Sequence, residues 1–141
     1  MKFEFNRIRT AVTYVLLIVM VVSCFTGCSS YEKELEKAFQ YKEAGEYEKA
    51  FESFSVLAEA GDAEAQNELG LLYYDGFGVE QDWEKANEWF QKAADGGNIG
   101  GMGNIGTSYL LGEGIEVDAN KGFSYLKQAA EGGSAYAQDW L

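Results

Sequence analysis

The 141-residue sequence contains no histidine and no proline, only 2 cysteines, and few basic residues. Without histidine, the chain cannot form a Ser-His-Asp or Cys-His triad, nor any metal site that uses histidine ligands. Lysine and arginine number 11 against 23 aspartates and glutamates, which gives a formal net charge of −12. This balance argues against a nucleic-acid partner, because phosphate backbones attract basic protein faces. The length leaves room for one small domain.

The first 27 residues have the three parts of a secretory signal. A short basic start is followed by an apolar run over residues 11–22, which is shorter than the roughly 20 residues of a membrane-spanning helix. The next residues, Thr26-Gly27-Cys28, resemble the lipobox of bacterial lipoproteins. The resemblance implies cleavage after residue 27, acylation of Cys28 and a tether over residues 28–30. A lipid of two or three acyl chains is sufficient for stable anchoring.

The same segment offers alternatives to acylation of Cys28. Cys24 is a second match to the lipobox, and an uncleaved anchor with two idle cysteines is the other interpretation. With Cys28 acylated, we expect a protein on the cell membrane or the outer membrane that faces the periplasm or the exterior. Loss of residues 1–27 would remove three of the 11 basic side chains and one of the 23 acidic ones, so the mature net charge would be −14.

Two copies of a 36-residue unit occupy residues 63–98 and 99–134 without a gap. Identical residues pair along the whole unit, among them Gly70 with Gly106, Tyr73 with Tyr109, Gly76 with Gly112, Gly78 with Gly114, Asp82 with Asp118 and Lys85 with Lys121. Each copy predicts two helices joined by a loop whose glycines supply positive φ angles. Residues 31–62 predict a shorter, tetratricopeptide-like helix pair, and residues 135–141 restart the first helix of the unit.

Capping residues set the predicted ends of these helices. The first helices begin at Asp62, Asn98 and Ser134, and the second helices begin at Asp82 and Asp118. Paired glycines at 96–97 and 132–133 end the second helices.

Residues 101–106 read G-M-G-N-I-G, which fits the G-x-G-x-x-G pattern of dinucleotide-binding loops. That motif requires a preceding strand, whereas residues 89–94 have helical spacing and the segment aligns with residues 65–70 of the first copy. We therefore predict a helix here and no dinucleotide. Gly100, Gly101 and Gly103 each cost this helix about 1 kcal/mol against alanine. Either the helix frays, or other elements pack against its bare backbone.

The unit from Ala65 to Gly97 resembles the Sel1-like repeat, with Leu69, Gly70, Tyr73, Gly76, Gly78, Val79, Asp82, Lys85, Ala86, Trp89, Lys92, Ala93, Ala94 and Gly97 in register. The second copy departs from the pattern at Gly101, Gly122, Tyr125 and Gln128. The resemblance implies an all-α fold, a right-handed α-α solenoid whose first helices line a concave face. It also implies an adaptor that holds other proteins.

By analogy with tetratricopeptide positions, the groove residues would be Asn67, Leu71, Tyr74, Gly103, Thr107 and Leu110. Apolar side chains at three of these positions either bind a partner or pack against the neighbouring helix. About two and a half units form a short groove, so we expect a peptide, a loop or a single helix of another protein as ligand. A second copy of the chain could cover the last helix.

Three kinds of function remain open. The leading hypothesis is a scaffold or adaptor, and a sharper version is an immunity-type inhibitor of a toxic periplasmic enzyme, since an acidic chain would suit a basic enzyme. The third is a cell-envelope hydrolase or a glycan binder. The recurring carboxylates follow the repeat, and no catalytic constellation is recognisable, so we predict no catalytic residues, no cofactor and no metal. Phe77 and Trp83 of the first copy correspond to Glu113 and Ala119 of the second. The second copy therefore lacks the aromatic residues on which sugars would stack, which argues against a glycan-binding surface repeated in each copy.

Overall fold

The computed structural model describes residues 30–141, and this part of the chain forms seven helices and no strand. Helix α1 is helical from residue 30, the first one described, to residue 43. The other helices are α2 (Tyr47–Glu59), α3 (Ala63–Asp75), α4 (Trp83–Asp95), α5 (Ile99–Leu111), α6 (Ala119–Glu131) and α7 (Ala135–Gln138). Contacts divide the chain after Glu36, and residues 37–141 are the larger unit. The predicted signal, Cys24 and Cys28 lie outside the described residues.

Helices α2 to α7 recur with the predicted spacing of 36 residues. The second helices begin at residues 47, 83 and 119, and the first helices begin at residues 63, 99 and 135. Each helix in this series packs against its neighbours in sequence, and α3 also contacts α5 directly. The predicted all-α solenoid of helix pairs is therefore confirmed. The spacing also includes α2, which belongs to the predicted tetratricopeptide-like pair.

Side-chain caps start the helices at the predicted residues. In each case the side chain accepts a hydrogen bond from the backbone N–H three positions later, and the caps are Asp62, Asp82, Asn98, Asp118 and Ser134. These bonds satisfy N–H groups that have no partner within the helix, at a typical gain of about 1 kcal/mol each. Gly76 and Gly112 end α3 and α5 in the left-handed conformation, with φ of 73° at both.

The tyrosine, aspartate and lysine of the repeat form one local network that closes the loop. The Asp82 N–H donates to the Tyr73 carbonyl at 2.9 Å, and the Lys85 ammonium lies 2.9 Å from the Asp82 carboxylate and 5.6 Å from the Tyr73 ring centre. The second copy makes the corresponding contacts through Tyr109, Asp118 and Lys121. The recurring aspartates therefore cap helices and close loops, which accounts for their repetition in the sequence.

The second glycine of each loop brings it against the preceding helix pair. Gly78 and Gly114 have φ of 71° and 66°. A Cβ at Gly78 would lie 2.3 Å from the Tyr47 carbonyl oxygen, and one at Gly114 would lie 2.5 Å from the Trp83 carbonyl carbon. Both the backbone conformation and the lack of space therefore require glycine. Each loop rests on the first turn of the second helix in the pair before it.

The G-M-G-N-I-G segment lies within α5, as predicted, and the element before it is the helix α4. A Cβ at Gly101 would lie 2.6 Å from the Ala93 Cβ and 3.0 Å from the Ala94 nitrogen. A Cβ at Gly106 would lie 3.1 Å from the Gly122 carbonyl oxygen. Neighbouring helices thus pack against the bare backbone of α5 from two sides, α4 at Gly101 and α6 at Gly106. This packing, rather than fraying, is the reason for glycine at these positions.

Candidate functional site

A pocket of about 140 Å³ opens beside the first helices of successive pairs. Its lining residues are Leu71 and Tyr74 of α3, Phe90 of α4, Asn104, Thr107, Ser108 and Leu111 of α5, Glu113 of the next loop, and Tyr136 of α7. Phe90 is only 1% exposed and forms part of the core beneath the pocket. Leu111 and Tyr136 are 55% and 50% exposed, so apolar surface faces solvent at the rim.

Three of the six predicted groove residues, Leu71, Tyr74 and Thr107, line this pocket. Asn67 lies beside it, because its Oδ1 accepts a hydrogen bond at 2.9 Å from Nδ2 of the lining residue Asn104. Gly103 faces the ring of Tyr136, which would lie 3.6 Å from an added Cβ. Five of the predicted residues therefore lie at or next to one concave site.

Leu110, the sixth predicted residue, lies elsewhere. It packs against the cluster of Leu126 and Ala129, and a Cβ at Gly122 would fall 2.6 Å from its Cδ2. The first copy has Ala86 where the second has Gly122, so Leu110 occupies space that a methyl group fills in the first copy. The leucine of α5 that lines the pocket is the next residue, Leu111.

Hydrogen bonds fix Glu113 at the rim of the pocket. The Tyr74 hydroxyl donates to Glu113 Oε2 at 2.8 Å, and Asn87 Nδ2 donates to the Glu113 carbonyl at 2.6 Å. The bond to the Glu113 carboxylate, together with burial, raises the pKa of Tyr74 to about 12. Sequence reasoning missed Glu113 as a site residue, because residue 77 of the first copy is a phenylalanine. Only the packed structure brings residue 113 to residue 74.

Positive charge is distributed unevenly between the two sets of helices. No lysine or arginine occurs within α3, α5 or α7, whereas the second helices carry Lys49, Lys85, Lys92, Lys121 and Lys127. Lys42 of α1 forms an ion pair with Glu68 of α3. Glu113 is the one charged residue that lines the pocket, and it takes part in no ion pair within residues 30–141.

A wider crevice of about 670 Å³ lies between α4 and α6, with polar residues such as Asp95, Lys121 and Gln128 on its walls. Gln91 Nε2 lies 2.8 Å from the Tyr125 hydroxyl, and the rings of Tyr109 and Tyr125 stack with centres 6.2 Å apart. None of the residues that line the crevice is an exposed large hydrophobic one, whereas Leu111 and Tyr136 are exposed at the concave pocket, so the crevice is the weaker candidate for a ligand.

The described part of the chain has neither a metal-binding cluster nor a membrane-spanning helix. Residues 30–141 contain no group of three or more His, Cys, Asp or Glu side chains that could hold a metal ion. None of the helices in this range is long and apolar enough to cross a membrane.

The helix pairs, their period, the loop networks and the concave pocket define an α-helical repeat protein. The Sel1 repeat profile matches residues 63–98 and 101–134. The chain therefore belongs to the Sel1 repeat family, and the resemblance found in the sequence is confirmed.

Solved structures of other Sel1-type proteins share the fold. A Sel1 repeat protein from Oxalobacter formigenes is 31% identical with a TM-score of 0.73, over 77% of this chain and 43% of that one. The protein c5321, a protective antigen of uropathogenic Escherichia coli strains with an SLR fold, is 27% identical with a TM-score of 0.72, over 76% and 24%. This chain thus spans less than half the length of either protein.

Cysteine rich protein B of Helicobacter pylori is a more distant structural neighbour. It is 21% identical with a TM-score of 0.65, over 79% of this chain and 95% of that one, and it supports the fold alone. No curated protein matches this sequence.

Proposed function

We propose that this protein is an interaction module that holds a segment of another protein in the concave groove beside α3, α5 and α7. The observation that carries the proposal is the pocket with a buried aromatic floor and exposed apolar residues, Leu111 and Tyr136, at its rim. Apolar surface concentrated at a concave site is typical of a binding site. Repeat proteins bury one face of each pair against its neighbours and use the concave face for ligands.

The dimensions of the pocket favour a peptide segment over a small molecule. Its volume of about 140 Å³ is below the roughly 300–1,000 Å³ that is usual for small-molecule sites. A pocket of this size suits one large side chain of a partner, while neighbouring residues of the same segment lie along the groove. The ligand is therefore a peptide, a loop or one face of a helix.

The proposed location is the surface of a bacterial membrane, with the groove facing the periplasm or the exterior. It is supported by the signal pattern of residues 1–27 and by the lipobox-like residues that end at Cys28. An acylated cysteine would hold the groove close to other envelope proteins. An inhibitor of a basic periplasmic enzyme is the second candidate function, and the excess of 23 acidic over 11 basic residues favours it.

Two of the recurring carboxylates have structural partners. Asp82 and Asp118, which recur in the sequence, accept hydrogen bonds from the first turns of α4 and α6 and pair with lysines of the same helices. These are structural contacts, and they favour the binding role over a hydrolase.

The test is affinity capture with a matched pair of variants of the full-length protein. Leu111→Glu places a carboxylate at the pocket rim, and the first copy already has Asp75 at the equivalent position. Val56→Glu is the control, because Val56 is 70% exposed on α2 and its equivalent in α4 is Lys92. Both substitutions therefore put a charge where the repeat tolerates one.

We expect the wild-type protein and Val56→Glu to recover the same partner from a detergent extract of the cell envelope, in comparable amount. Leu111→Glu should lower recovery about tenfold or more, because a carboxylate would replace an apolar contact and lose water without gaining a partner. Equal recovery by both variants would show that binding does not use this pocket.

A further inference from the structure

We propose that the groove selects segments in which a large apolar residue adjoins a lysine or arginine, with Glu113 as the acceptor of the cation. This inference rests on the proposed function, because it concerns the chemistry of the segment that the groove holds. The apolar residue would enter the pocket between Leu71 and Leu111. The basic side chain would reach the carboxylate at the rim.

The position of Glu113 fits this role. It shares the pocket wall with apolar side chains, so a cation bound there would sit beside the pocket that takes the apolar anchor. Its Oε2 accepts the bond from Tyr74, while Oε1 accepts no hydrogen bond from residues 30–141. Hydrogen bonds from a cation to a carboxylate are charge-assisted and therefore strong. They are stronger still where the carboxylate is partly shielded from solvent, as at this rim.

Glu113 is held in place by residues that the repeat itself does not require. Its counterpart in the first copy, Phe77, stacks on Tyr47 with ring centres 4.5 Å apart. The counterparts of Tyr74 and Asn87 in the second copy are Leu110 and Phe123, which cannot make these hydrogen bonds. Both copies fold as helix pairs, so the fold does not explain the bonds. They fix the direction of one carboxylate, which is what recognition of a defined ligand group needs.

The surrounding charges favour a basic ligand. The first helices α3, α5 and α7 contain no lysine or arginine, and Lys42 of α1 is paired with Glu68 of α3. A basic segment in the groove therefore meets no like charge on these helices, whereas an acidic segment would lie next to Glu113 without a compensating cation. Charge complementarity thus selects the class of partner.

The first experiment is a selection of random short peptides displayed on phage against the full-length protein in detergent. The baits are the wild type, Glu113→Gln, Leu111→Glu and Glu88→Gln. Glu88 is exposed on α4 and lies outside the pocket, so Glu88→Gln removes the same charge from the molecule as a whole. Enriched peptides are then synthesised with the basic residue intact or replaced by glutamine, and their affinities for all four proteins are compared.

We expect the wild type and Glu88→Gln to enrich peptides with a large apolar residue next to lysine or arginine. Glu113→Gln should keep the apolar preference and lose the basic one. Replacing the basic residue should weaken binding to the wild type about tenfold and leave binding to Glu113→Gln nearly unchanged.

The inference could be overturned in two distinguishable ways. If Glu113→Gln keeps the preference for basic residues, or if Glu88→Gln loses that preference to the same extent, Glu113 is not the acceptor of the cation. The apolar groove would still be the binding site. If every peptide that the wild type enriches is also enriched by Leu111→Glu, or if the wild type enriches none, the groove is not a binding site. The proposed function would then be wrong as well.

Discussion

Tyr74 connects the pocket to the loop that follows α5. Its ring lies 6.2 Å from that of Trp83 and 6.4 Å from that of Phe90, and its hydroxyl donates to Glu113. The side chain thus packs on the second helix of its own pair and bonds to the loop of the next pair. A tyrosine combines apolar contact area with one polar group, which suits a position between the buried core and the solvent-exposed rim of the pocket.

The hydroxyl of Tyr74 should ionise at a higher pH than that of an ordinary tyrosine. Its pKa is raised to about 12 by the bond to Glu113 and by burial, against about 10 for an ordinary tyrosine. Because the neutral phenol is favoured in the folded state, this bond stabilises the fold fully below pH about 10, and the stabilisation is lost as pH rises through about 12. An ultraviolet titration of tyrosinate should show one tyrosine that ionises near pH 12.

Two variants test whether the ionisation near pH 12 belongs to Tyr74. Tyr74→Phe should remove it, and Glu113→Gln should move it towards lower pH, while Tyr41→Phe, on α1 and outside the pocket, should leave it unchanged. Circular dichroism at each pH shows whether the helices persist. If this ionisation survives in Tyr74→Phe, it would contradict the assignment.

The sequence could indicate Asn67, Leu71, Tyr74 and Thr107 as groove residues, because they occupy one face of first helices in a recognised repeat. It could not indicate Glu113. The bond between residues 74 and 113 spans 39 positions, and it exists only because α3, α5 and the loop after α5 come together. No local pattern marks such a pair, since the first copy has an aromatic residue at the equivalent position.

Among the elements, α5 is the helix whose stability depends most on its neighbours. Its glycines at positions 100, 101, 103 and 106 give it low intrinsic helix propensity. Two of them, Gly101 and Gly106, lie against the backbones of α4 and α6. In proteins, helical stability comes mainly from tertiary packing, and α5 is an instance in which close backbone contact replaces side-chain interdigitation.

A matched pair of alanine substitutions in α5 separates packing from propensity. Gly103→Ala should stabilise the protein by up to about 1 kcal/mol, because the added Cβ gains helix propensity and meets only the Tyr136 ring, at 3.6 Å. Gly101→Ala should destabilise it by about 1–3 kcal/mol, because its Cβ would lie 3.0 Å from the Ala94 nitrogen.

Urea unfolding of both variants, followed by circular dichroism, gives the two changes in unfolding free energy. If Gly101→Ala were as stable as Gly103→Ala, the contact between α4 and α5 would not be tight. The pair uses the same chemical change in the same helix, so differences in propensity between the sites are small.

Helix ends and loops could be predicted from the sequence, because caps and positive-φ glycines act within a few residues. Faces of helices are harder to predict. One position along a helix corresponds to a rotation of about 100°, and this is the difference between Leu110, which packs on α6, and Leu111, which lines the pocket. An analogy between repeat families does not fix positions to within one residue.

For the whole molecule, the fold follows from the repeat, whereas the ligand does not. The 36-residue period predicts the order and packing of the helices, since each pair contacts mainly its neighbours. The groove chemistry depends on positions where the copies differ, such as Phe77 and Glu113 or Leu110 and Tyr74. Averaging over copies reveals the scaffold and removes the information about its specificity.

The location of the molecule is tested by metabolic labelling of cells with an alkyne analogue of palmitate. We expect label on the wild-type protein and on Cys24→Ser, and none on Cys28→Ser, because Cys28 follows the better match to a lipobox. Cys28→Ser should also leave the membrane fraction or accumulate as the uncleaved precursor. Label that is lost in Cys24→Ser instead would move the tether four residues upstream.

The loop glycines have a consequence for how such a protein can change over time. Gly78 and Gly114 couple consecutive helix pairs through main-chain atoms of Tyr47 and Trp83, with no side chain of their own. This part of the contact between neighbouring pairs is therefore insensitive to most side-chain substitutions nearby. Exposed side chains on the concave face can diverge without loss of this main-chain contact. A gene duplication of one such unit would supply a folded pair at once and a new recognition surface later.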